Sequence, residues 1–282
     1  WAVYVVRGGR AVRRAVTLGK QNGLEAEVVT GLVEGDTVIV HPDHDTLAAA
    51  VASRLITAIL DSQARRGSAH VALTGGRIGT ASMAAVLADP AHRAVDWGLV
   101  DFWWSDERFV PAGDDDRNDA AAFTVMLDKL PVDPKRVHPM PASGAGYGGD
   151  VDAAAVGYAA ELAAAAGDAD GIPRIDITML GVGEDGHVAS LFPGLPGVHA
   201  NGTVIPVRDS PKPPPTRLSF TMSVLDASAR VWLIASGTGK AGAIKAALQP
   251  EPGQDEVPAG MVKGTYETLA LLDRDAASEL TR

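Results

Sequence analysis

The sequence IDITMLGVGEDGHVASLFP, at residues 175–193, decides the fold. It opens with a short β-rich apolar run, residues 175–180, which predicts a buried parallel strand. A Gly-x-Gly turn at residues 181–183 brings nearly bare backbone to the carboxyl end of that strand, and Asp185 and His187 follow directly. Ligands of open α/β sheets bind at the carboxyl ends of the strands, so these two side chains stand where chemistry is expected.

Asp185 and His187 are the most informative pair in the chain. Histidine is the natural general base near neutral pH, and a neighbouring aspartate can fix the orientation or the tautomer of its imidazole. The spacing therefore predicts a catalytic Asp–His pair. The plainer alternative is a Gly-rich turn that carries an aspartate and a histidine without a catalytic role.

Helical and β patterns alternate from about residue 43 onward. The first helix is predicted between Asp43 or Asp45, either of which can cap it, and Gly67, with apolar residues at helical spacing between them. Further strands are predicted at residues 70–73, 100–104, 230–235 and 268–272, and further helices at residues 152–166, from about 241 to 248, and at 273–280. This alternation predicts an α/β fold with a doubly wound, mostly parallel sheet that is covered on both faces.

Two loops that connect a strand to a helix are candidates for binding an anion. The loop Thr74-Gly75-Gly76-Arg77 offers free backbone N–H groups at a helix N-terminus, which suits a phosphate. It is not a Walker A loop, because the Lys-Ser/Thr ending is missing, and it does not match the dinucleotide fingerprint. The loop Gly237-Thr238-Gly239-Lys240 places Lys240 at the start of another helix.

The run GVGEDGHVASLFP, residues 181–193, resembles the signature of the 6-phosphogluconolactonase family, whose fold is shared with glucosamine-6-phosphate deaminases. The deaminases carry a similar Gly-x-Gly-x-Asp-Gly-His run but typically continue as Ala-Phe-Asn-Glu-Pro. Here the continuation is Ala189-Ser190-Leu191-Phe192-Pro193, the lactonase version. The resemblance extends from about residue 43 to residue 282 and implies the deaminase/isomerase/lactonase variant of the doubly wound fold.

The resemblance also implies further site residues. Asp106 and Arg108, directly after the strand at 100–104, match an Asp-Glu-Arg run of the family and are implied to be catalytic, with a surface salt bridge as the alternative. Arg217, and less strongly Lys212, stand in a proline-rich segment that matches the family and are implied to bind phosphate. The alternative there is a Pro-rich linker.

Lys240 also belongs to a Gly-x-Gly-Lys run that the family shares. The loop that contains Gly75 and Gly76 departs from the usual Gly-Gly-Ser-Thr-Pro of the family at Arg77, which leaves the role of that side chain open while the backbone still suits a phosphate.

The reaction that the resemblance implies is hydrolysis of 6-phospho-D-glucono-1,5-lactone to 6-phospho-D-gluconate, a step of the pentose phosphate pathway. Water deprotonated by His187 would add to the carbonyl, with Asp185 orienting the imidazole. Backbone N–H groups and Arg108 would stabilise the oxyanion, and the cations and glycines named above would hold the phosphate. We expect no cofactor and no metal, because His-rich ligand spacing is missing, and the serine-hydrolase elbow G-x-S-x-G is missing as well.

The composition narrows the partners. The 282 residues carry a formal net charge of −10 and no cysteine. The charge argues against nucleic acid and anionic membranes as partners, and the lack of cysteine excludes disulfides and thiolate metal sites. No apolar run approaches the roughly 18 residues of a membrane-spanning helix, and no signal-peptide pattern is visible. We therefore expect a cytoplasmic protein, a monomer or weak homo-oligomer, that binds a phosphorylated sugar lactone.

Residues 1–42 have a different pattern. Short β-rich runs at 2–6, 11–18 and 25–30 are separated by turn signals, the first of them Arg7-Gly8-Gly9-Arg10. This segment resembles the last β segment of periplasmic adaptor proteins of efflux pumps. It is expected to be a β appendage over residues 1–36, possibly a fused fragment, in front of an α/β domain over residues 37–282. The alternative is a β extension native to this protein.

Two other functions stay open at this point. A sugar-phosphate deaminase or isomerase could use the same Asp–His pair, although Ser190-Leu191-Phe192 argues against it. A non-catalytic sugar-phosphate sensor or envelope adaptor is the alternative from another class. An adaptor should contain coiled-coil heptads, and a sensor of this fold usually brings a basic helix-turn-helix; neither pattern is found.

Overall fold

Strands and helices alternate through the computed structural model, which describes residues 2–7, 10–15, 36–144, 146–167, 171–249 and 257–280. The strands are β1 Ala2–Arg7, β2 Arg10–Ala15, β3 Asp36–His41, β4 Ala69–Leu73, β5 Val100–Trp104, β6 Asp106–Arg108, β7 Ile177–Gly181, β8 Val204–Val207, β9 Arg217–Phe220, β10 Arg230–Ala235 and β11 Glu267–Asp273. The α-helices are α1 His44–Arg66, α2 Gly76–Val86, α3 Asn118–Val125, α4 Val151–Ala166, α5 Met222–Ala227, α6 Ala241–Leu248 and α7 Pro258–Met261.

The centre of the fold is a parallel sheet of six strands in the order β3-β11-β10-β7-β4-β5. Its strands are nearly continuous apolar runs: every residue of β5, VDFWW, is buried, and so is β10 after its first residue. Such strands are typical of a parallel sheet that is covered on both faces. The predicted fold class, a doubly wound and mostly parallel α/β sheet, is confirmed.

The chain changes direction across this sheet between β4 and β7, which are neighbours. From β4 it passes through α2 to β5 at one edge, whereas from β7 it proceeds to β10 and β11 toward the other edge. A crevice opens where adjacent strands lead in opposite directions, and doubly wound sheets bind ligands there. The loops that follow β4 and β7 are the glycine-rich stretches at residues 74–77 and 181–187.

Helix α1 begins and ends where the sequence predicts. Asp43 caps its N-terminus by accepting a hydrogen bond from the backbone N of Thr46 at 2.8 Å. Gly67 ends the helix in a left-handed conformation, with a φ of 81°, that residues with a side chain rarely adopt. By length and composition alone α1 could span a membrane, which corrects the expectation that no such apolar run exists. Most of its large apolar residues are buried, however, and it lies against α2 and the strands β3, β4 and β11, as a core helix does.

A second, antiparallel sheet of three strands, β6-β9-β8, lies at the end of β5. Residues 106–108, which directly follow the strand predicted at 100–104, form a short strand of their own, because they pair with β9. Arg108 stands directly opposite Arg217, and Asp106 opposite Ser219. Residues two apart in a strand share a face, so this register brings both arginines and Asp106 to one side of the small sheet.

The two ends of the chain differ from the prediction in detail. Residues 274–279 form turns where a closing helix over 273–280 was predicted, because the Asp273 carboxylate is engaged by Ser236 and by the backbone N of Gly237, which anchors the segment to the loop after β10. At the other end, the α/β part begins at Asp36, one residue before the predicted start, because Asp36 pairs with Thr268 of β11.

The N-terminal strands β1 and β2 pair with each other as the predicted antiparallel hairpin, in the register Ala2↔Ala15 to Arg7↔Arg10. Within the described residues they form a sheet of their own. The strand predicted at residues 25–30 lies outside the described residues.

His138 belongs to a charged cluster near the amino end of β5, away from the ligand edge. Its ring stacks on Trp103 with the centroids 3.8 Å apart, its Nδ1 lies 2.7 Å from Oε1 of Glu161, and its Nε2 lies 3.2 Å from Oδ1 of Asp101. Burial lowers the pKa of His138, but the two carboxylates outweigh it and raise the pKa to about 9. The imidazolium is therefore a structural cation.

This pKa makes the stability dependent on pH. His138 has a pKa of 6.5 when unfolded and of about 9 when folded, so its contribution is fully present below pH 6.5 and is lost as the pH rises through 9. We expect the difference in Tm between the wild type and His138→Gln to shrink over this interval, as measured by thermal melts at a series of pH values. A difference that stays constant over the interval would contradict the assignment.

Candidate active site

A cavity of about 840 Å³ opens along the carboxyl ends of β3, β11, β10, β7 and β4 and reaches the edge of the small sheet. Almost all the site residues predicted from the sequence line it: Gly75, Gly76, Arg77, Asp106, Arg108, His187, Lys212, Arg217 and Lys240. Asp185 does not line the cavity itself, but it is hydrogen-bonded to His187, which does. The fold thus brings residues from five separate segments to one place.

Asp185 determines which ring nitrogen of His187 carries a proton. Oδ1 of Asp185 lies 2.5 Å from Nδ1 of His187, and Nζ of Lys212 lies 3.6 Å from the same oxygen. Burial raises the pKa of Asp185, but the hydrogen bond from His187 and the charges of His187 and Lys212 outweigh it and hold the pKa well below its usual range. An ionised carboxylate can only accept, so Nδ1 of His187 donates and Nε2 remains for a ligand.

Gly183 makes room for this pair. A Cβ at Gly183 would lie 1.9 Å from Nδ1 of His187 and 2.4 Å from Oδ1 of Asp185, which no side chain allows. The backbone N of Gly183 also donates to the carbonyl of His187 at 2.8 Å, which closes the loop on itself. The bare backbone that the sequence shows after β7 is therefore a steric requirement of the Asp–His contact.

The residues after His187 form a tight turn with an unusual backbone. Ala189 has a φ of 49°, a left-handed conformation that is uncommon for a residue with a side chain. The turn directs Oγ of Ser190 to Oδ2 of Asp106, at 2.6 Å. It also places the buried ring of Phe192 against the ring of His187, with the centroids 4.5 Å apart, and beneath the guanidinium of Arg217, 5.7 Å from the ring centroid.

Arg217 is buried and mostly engaged by the proline-rich segment. Its Nε donates to the carbonyl of Pro214, and Nη2 donates to those of Lys212 and Pro213, at 2.9–3.2 Å. Within the described residues Nη1 makes no hydrogen bond; it lies 3.9 Å from Oδ2 of Asp106. Burial lowers the pKa of Arg217. One nitrogen of this desolvated cation therefore remains available to an anion in the cavity.

Arg108 lines the cavity beside Arg217, its partner in the small sheet. Its Nη1 donates to the carbonyl of Asp116, and its Nε is buried without a hydrogen-bond partner among the described residues. A buried donor without a partner is costly, so a ligand or a water that accepts from it would be stabilising.

The loop after β4 is shaped by Asn118, a residue that sequence reasoning did not single out. A Cβ at Gly75 would lie 1.8 Å from Oδ1 of Asn118, whose Nδ2 donates to the carbonyl of Asp106 at 3.0 Å. Asn118 opens α3, where Glu107 accepts its backbone N–H at 2.8 Å; burial raises the pKa of Glu107 to about 7. These contacts join the Gly75-Gly76 loop to the small sheet.

Lys240 lines the cavity at the N-terminus of α6. Burial lowers the pKa of Lys240 below its usual value, and the negative charge of Glu184 offsets only part of this effect. The loop before Lys240 is held by Asp273, which accepts hydrogen bonds from the hydroxyl of Ser236 and the backbone N–H of Gly237, and Ser236 is in turn contacted by His44. His44, Ser236 and Asp273 line the cavity, yet they come from three strand ends that no local sequence pattern relates to one another.

Known proteins resemble most of this chain. The family model described as glucosamine-6-phosphate isomerases/6-phosphogluconolactonase matches residues 42–271. A 6-phosphogluconolactonase of Streptomyces coelicolor is 50% identical over 248 residues, which are 87% of this chain and 95% of that protein. The chain belongs to the glucosamine-6-phosphate isomerase/6-phosphogluconolactonase family.

Solved structures of similar fold include a 6-phosphogluconolactonase of Thermotoga maritima, which aligns with a TM-score of 0.73 at 24% identity, over 84% of this chain and 99% of that one. The crystal structure of the devB protein aligns with a TM-score of 0.76 at 27% identity, over 87% of this chain and 100% of that one. A monomeric glucosamine-6-phosphate deaminase aligns with a TM-score of 0.70 at 19% identity, over 86% and 99%. The fold therefore does not distinguish the two reactions, and the site has to do so.

The steric role of Gly183 can be measured directly. We expect Gly183→Ala to separate Asp185 from His187, because the new Cβ would occupy the position of Nδ1. Long-range ¹H–¹⁵N correlation spectra report which nitrogen carries the proton. The wild type should show His187 protonated on Nδ1, and Gly183→Ala should lose that preference. Gly149→Ala, where nothing lies near the new Cβ, is the matched control. An unchanged tautomer in Gly183→Ala would refute the steric argument.

Proposed function

We propose that the chain hydrolyses 6-phospho-D-glucono-1,5-lactone to 6-phospho-D-gluconate, as a 6-phosphogluconolactonase of the pentose phosphate pathway. The observation that carries this proposal is an imidazole fixed by a carboxylate, His187 by Asp185, in a cavity that several cations also line. Membership of the family and the relative named 6-phosphogluconolactonase support it.

His187 is the general base of the proposed mechanism. Since Asp185 keeps the proton on Nδ1, Nε2 of the neutral ring can take a proton from water. The hydroxide adds to the lactone carbonyl carbon and forms a tetrahedral oxyanion. As the bond from that carbon to the ring oxygen breaks, the imidazolium returns the proton to the ring oxygen, which leaves as a hydroxyl. The product is the open-chain acid, and no covalent enzyme intermediate is needed.

Asp106 and Arg108 act on the opposite side of the reacting carbon in this proposal. The oxyanion is stabilised by Arg108, whose buried Nε has no other acceptor among the described residues, and by backbone N–H groups. Asp106, held by Ser190, keeps Nη1 of Arg217 directed toward the cavity through their 3.9 Å ion pair.

The cations and the glycine-rich loop hold the phosphate. Nη1 of Arg217 and the half-buried Lys240 are its principal ligands, Lys212 and Arg77 add to the positive field, and the backbone of Gly75 and Gly76 contributes N–H groups at the start of α2. A phosphate fixed in this way would position the distant carbonyl at His187.

We further propose a cytoplasmic enzyme, monomeric or weakly homo-oligomeric, that needs no cofactor or metal and binds neither nucleic acid nor membranes. The net charge of −10 supports the lack of anionic partners. Among the described residues no group of three metal-ligating side chains is found, and the proposed mechanism assigns no step to a metal.

Residues 1–35 are proposed to be an appendage of the α/β domain. The family model matches from residue 42, and β1 pairs with β2 and not with the large sheet. The likeness of residues 1–42 to an efflux-pump adaptor remains a proposal about the origin of this segment.

The role of His187 as the general base can be tested by substitution. His187→Ala should lower kcat for the phosphorylated lactone by the roughly 10²–10⁴-fold typical of a lost general base, while its Tm stays close to that of the wild type. A coupled assay with freshly generated lactone measures the rate. His199→Ala, a histidine outside the cavity lining, is the control. Near-normal turnover in His187→Ala would remove the residue from the mechanism.

The second prediction concerns the phosphate. Arg217→Ala and Lys240→Ala should raise KM for 6-phosphogluconolactone about ten- to hundredfold, since a charge-assisted contact contributes about 1.5–3 kcal/mol. Both variants should bind unphosphorylated gluconolactone as the wild type does, and the exposed Lys135→Ala should change neither KM. Equal losses on the two substrates would show that the cations support the structure instead.

The third prediction concerns the appendage. Deleting residues 1–35 should leave lactonase activity unchanged and alter the Tm only slightly, because β3 and all its described sheet contacts remain. Activity assays and thermal melts of the shortened chain measure both. Aggregation or loss of activity would mean that the segment is part of the enzyme fold.

A further inference from the structure

A second polar chain lies at the ligand edge, apart from the Asp185–His187 pair. Nδ1 of His44 lies 3.0 Å from Oγ of Ser236, and the same hydroxyl donates to Oδ2 of Asp273 at 2.5 Å. All three residues line the cavity. The proposed mechanism gives none of them a role.

The direction of each hydrogen bond follows from the chemistry of the groups. A serine hydroxyl can donate only one hydrogen bond, and that of Ser236 donates to the carboxylate of Asp273. The same carboxylate also accepts hydrogen bonds from the backbone N–H groups of Gly237 and Ala276. In the remaining contact Ser236 must therefore accept, so Nδ1 of His44 donates. The chain runs in one direction, from His44 through Ser236 to Asp273.

This chain ties three neighbouring strands together at their carboxyl ends. His44 opens α1 directly after β3, Ser236 follows β10, and Asp273 ends β11 between them in the sheet. Asp273 is 3% exposed and accepts hydrogen bonds from three donors, one of which, the N–H of Gly237, is shared between its two oxygens. A buried carboxylate with this many donors fixes the position of the backbone that donates to it.

The fixed backbone leads straight to Lys240. Gly237 has a φ of 93°, which a residue with a side chain would rarely adopt, and its carbonyl accepts the backbone N–H of Lys240 at 3.0 Å. On the other side the loop passes close to Glu184, since a Cβ at Gly239 would lie 3.3 Å from its Oε1. The position at which Lys240 leaves the backbone is thus set by Asp273 through Gly237.

We propose that His44, Ser236 and Asp273 are positioning residues that hold Lys240 in place for the substrate phosphate. The inference rests on the proposed function, because it takes Lys240 to be a phosphate ligand. None of the three residues needs to touch the substrate. Their effect should appear in the binding of phosphorylated substrates and should act only through Lys240.

The test uses variants of the chain with and without Lys240. Ser236→Ala, which removes the central hydroxyl, should raise KM for 6-phosphogluconolactone about two- to tenfold, the usual effect of one hydrogen bond, with kcat unchanged. Asp273→Asn should have a larger effect, because its amide nitrogen cannot accept the hydrogen bonds that the lost oxygen accepted. His44→Phe should raise KM, and His44→Asn, which keeps a donor near the position of Nδ1, should restore it.

A double-mutant cycle separates positioning from general support of the fold. In the Lys240→Ala background, Ser236→Ala should raise KM no further, because the cation that it positions is gone. If Ser236→Ala leaves KM unchanged in the wild type, or raises it equally in both backgrounds, the inference is wrong while the proposed function stands. If Lys240→Ala itself leaves KM unchanged, the phosphate role of Lys240 fails and the inference fails with it. Should Asp273→Asn not fold, the Ser236 and His44 variants decide the question.

Discussion

The reversal of chain direction between β4 and β7 is the constraint on which the site depends. Because the two strands lead to opposite edges of the sheet, none of the described helices covers the space between their carboxyl ends, and both loops there are free to approach a ligand. The hydroxyl of Thr74 accepts the backbone N–H of Gly181 at 3.1 Å and joins the two loops at this point. One loop offers its backbone, through Gly75 and Gly76, and the other offers His187.

A buried positive charge, that of Arg217, is the second property of the cavity. Arg217 is almost fully buried, which is unfavourable for a cation, and the carbonyls of the proline-rich segment and the carboxylate of Asp106 offset that cost. Phe192 lies between this cation and the imidazole of His187, so the part of the site assigned to binding and the part assigned to chemistry share one packed ring. The turn at Ala189 that directs Phe192 and Ser190 is thus a physical basis for the lactonase version of the motif.

Local sequence patterns predict those features that local forces determine. The caps at Asp43 and Gly67 fix α1, apolar runs fix the strands, and the two-residue spacing of Asp185 and His187 brings their side chains together. The hydrogen bond from Ser190 to Asp106 and the chain from His44 to Asp273 join residues far apart in sequence, and these were not predictable. The closing helix was predicted wrongly for the same reason, since Asp273 serves a tertiary contact that its own segment does not reveal.

The central claim is that a histidine fixed by a carboxylate opens a phosphorylated lactone. The most direct measurement gives the purified chain freshly generated 6-phosphogluconolactone and follows the disappearance of the lactone by NMR, with glucosamine 6-phosphate and an ammonia assay in parallel. The lactone should open much faster than in buffer alone, also after EDTA treatment, and no ammonia should be released. Opening at the rate of buffer, or ammonia release at a rate that rivals lactone hydrolysis, would contradict this claim.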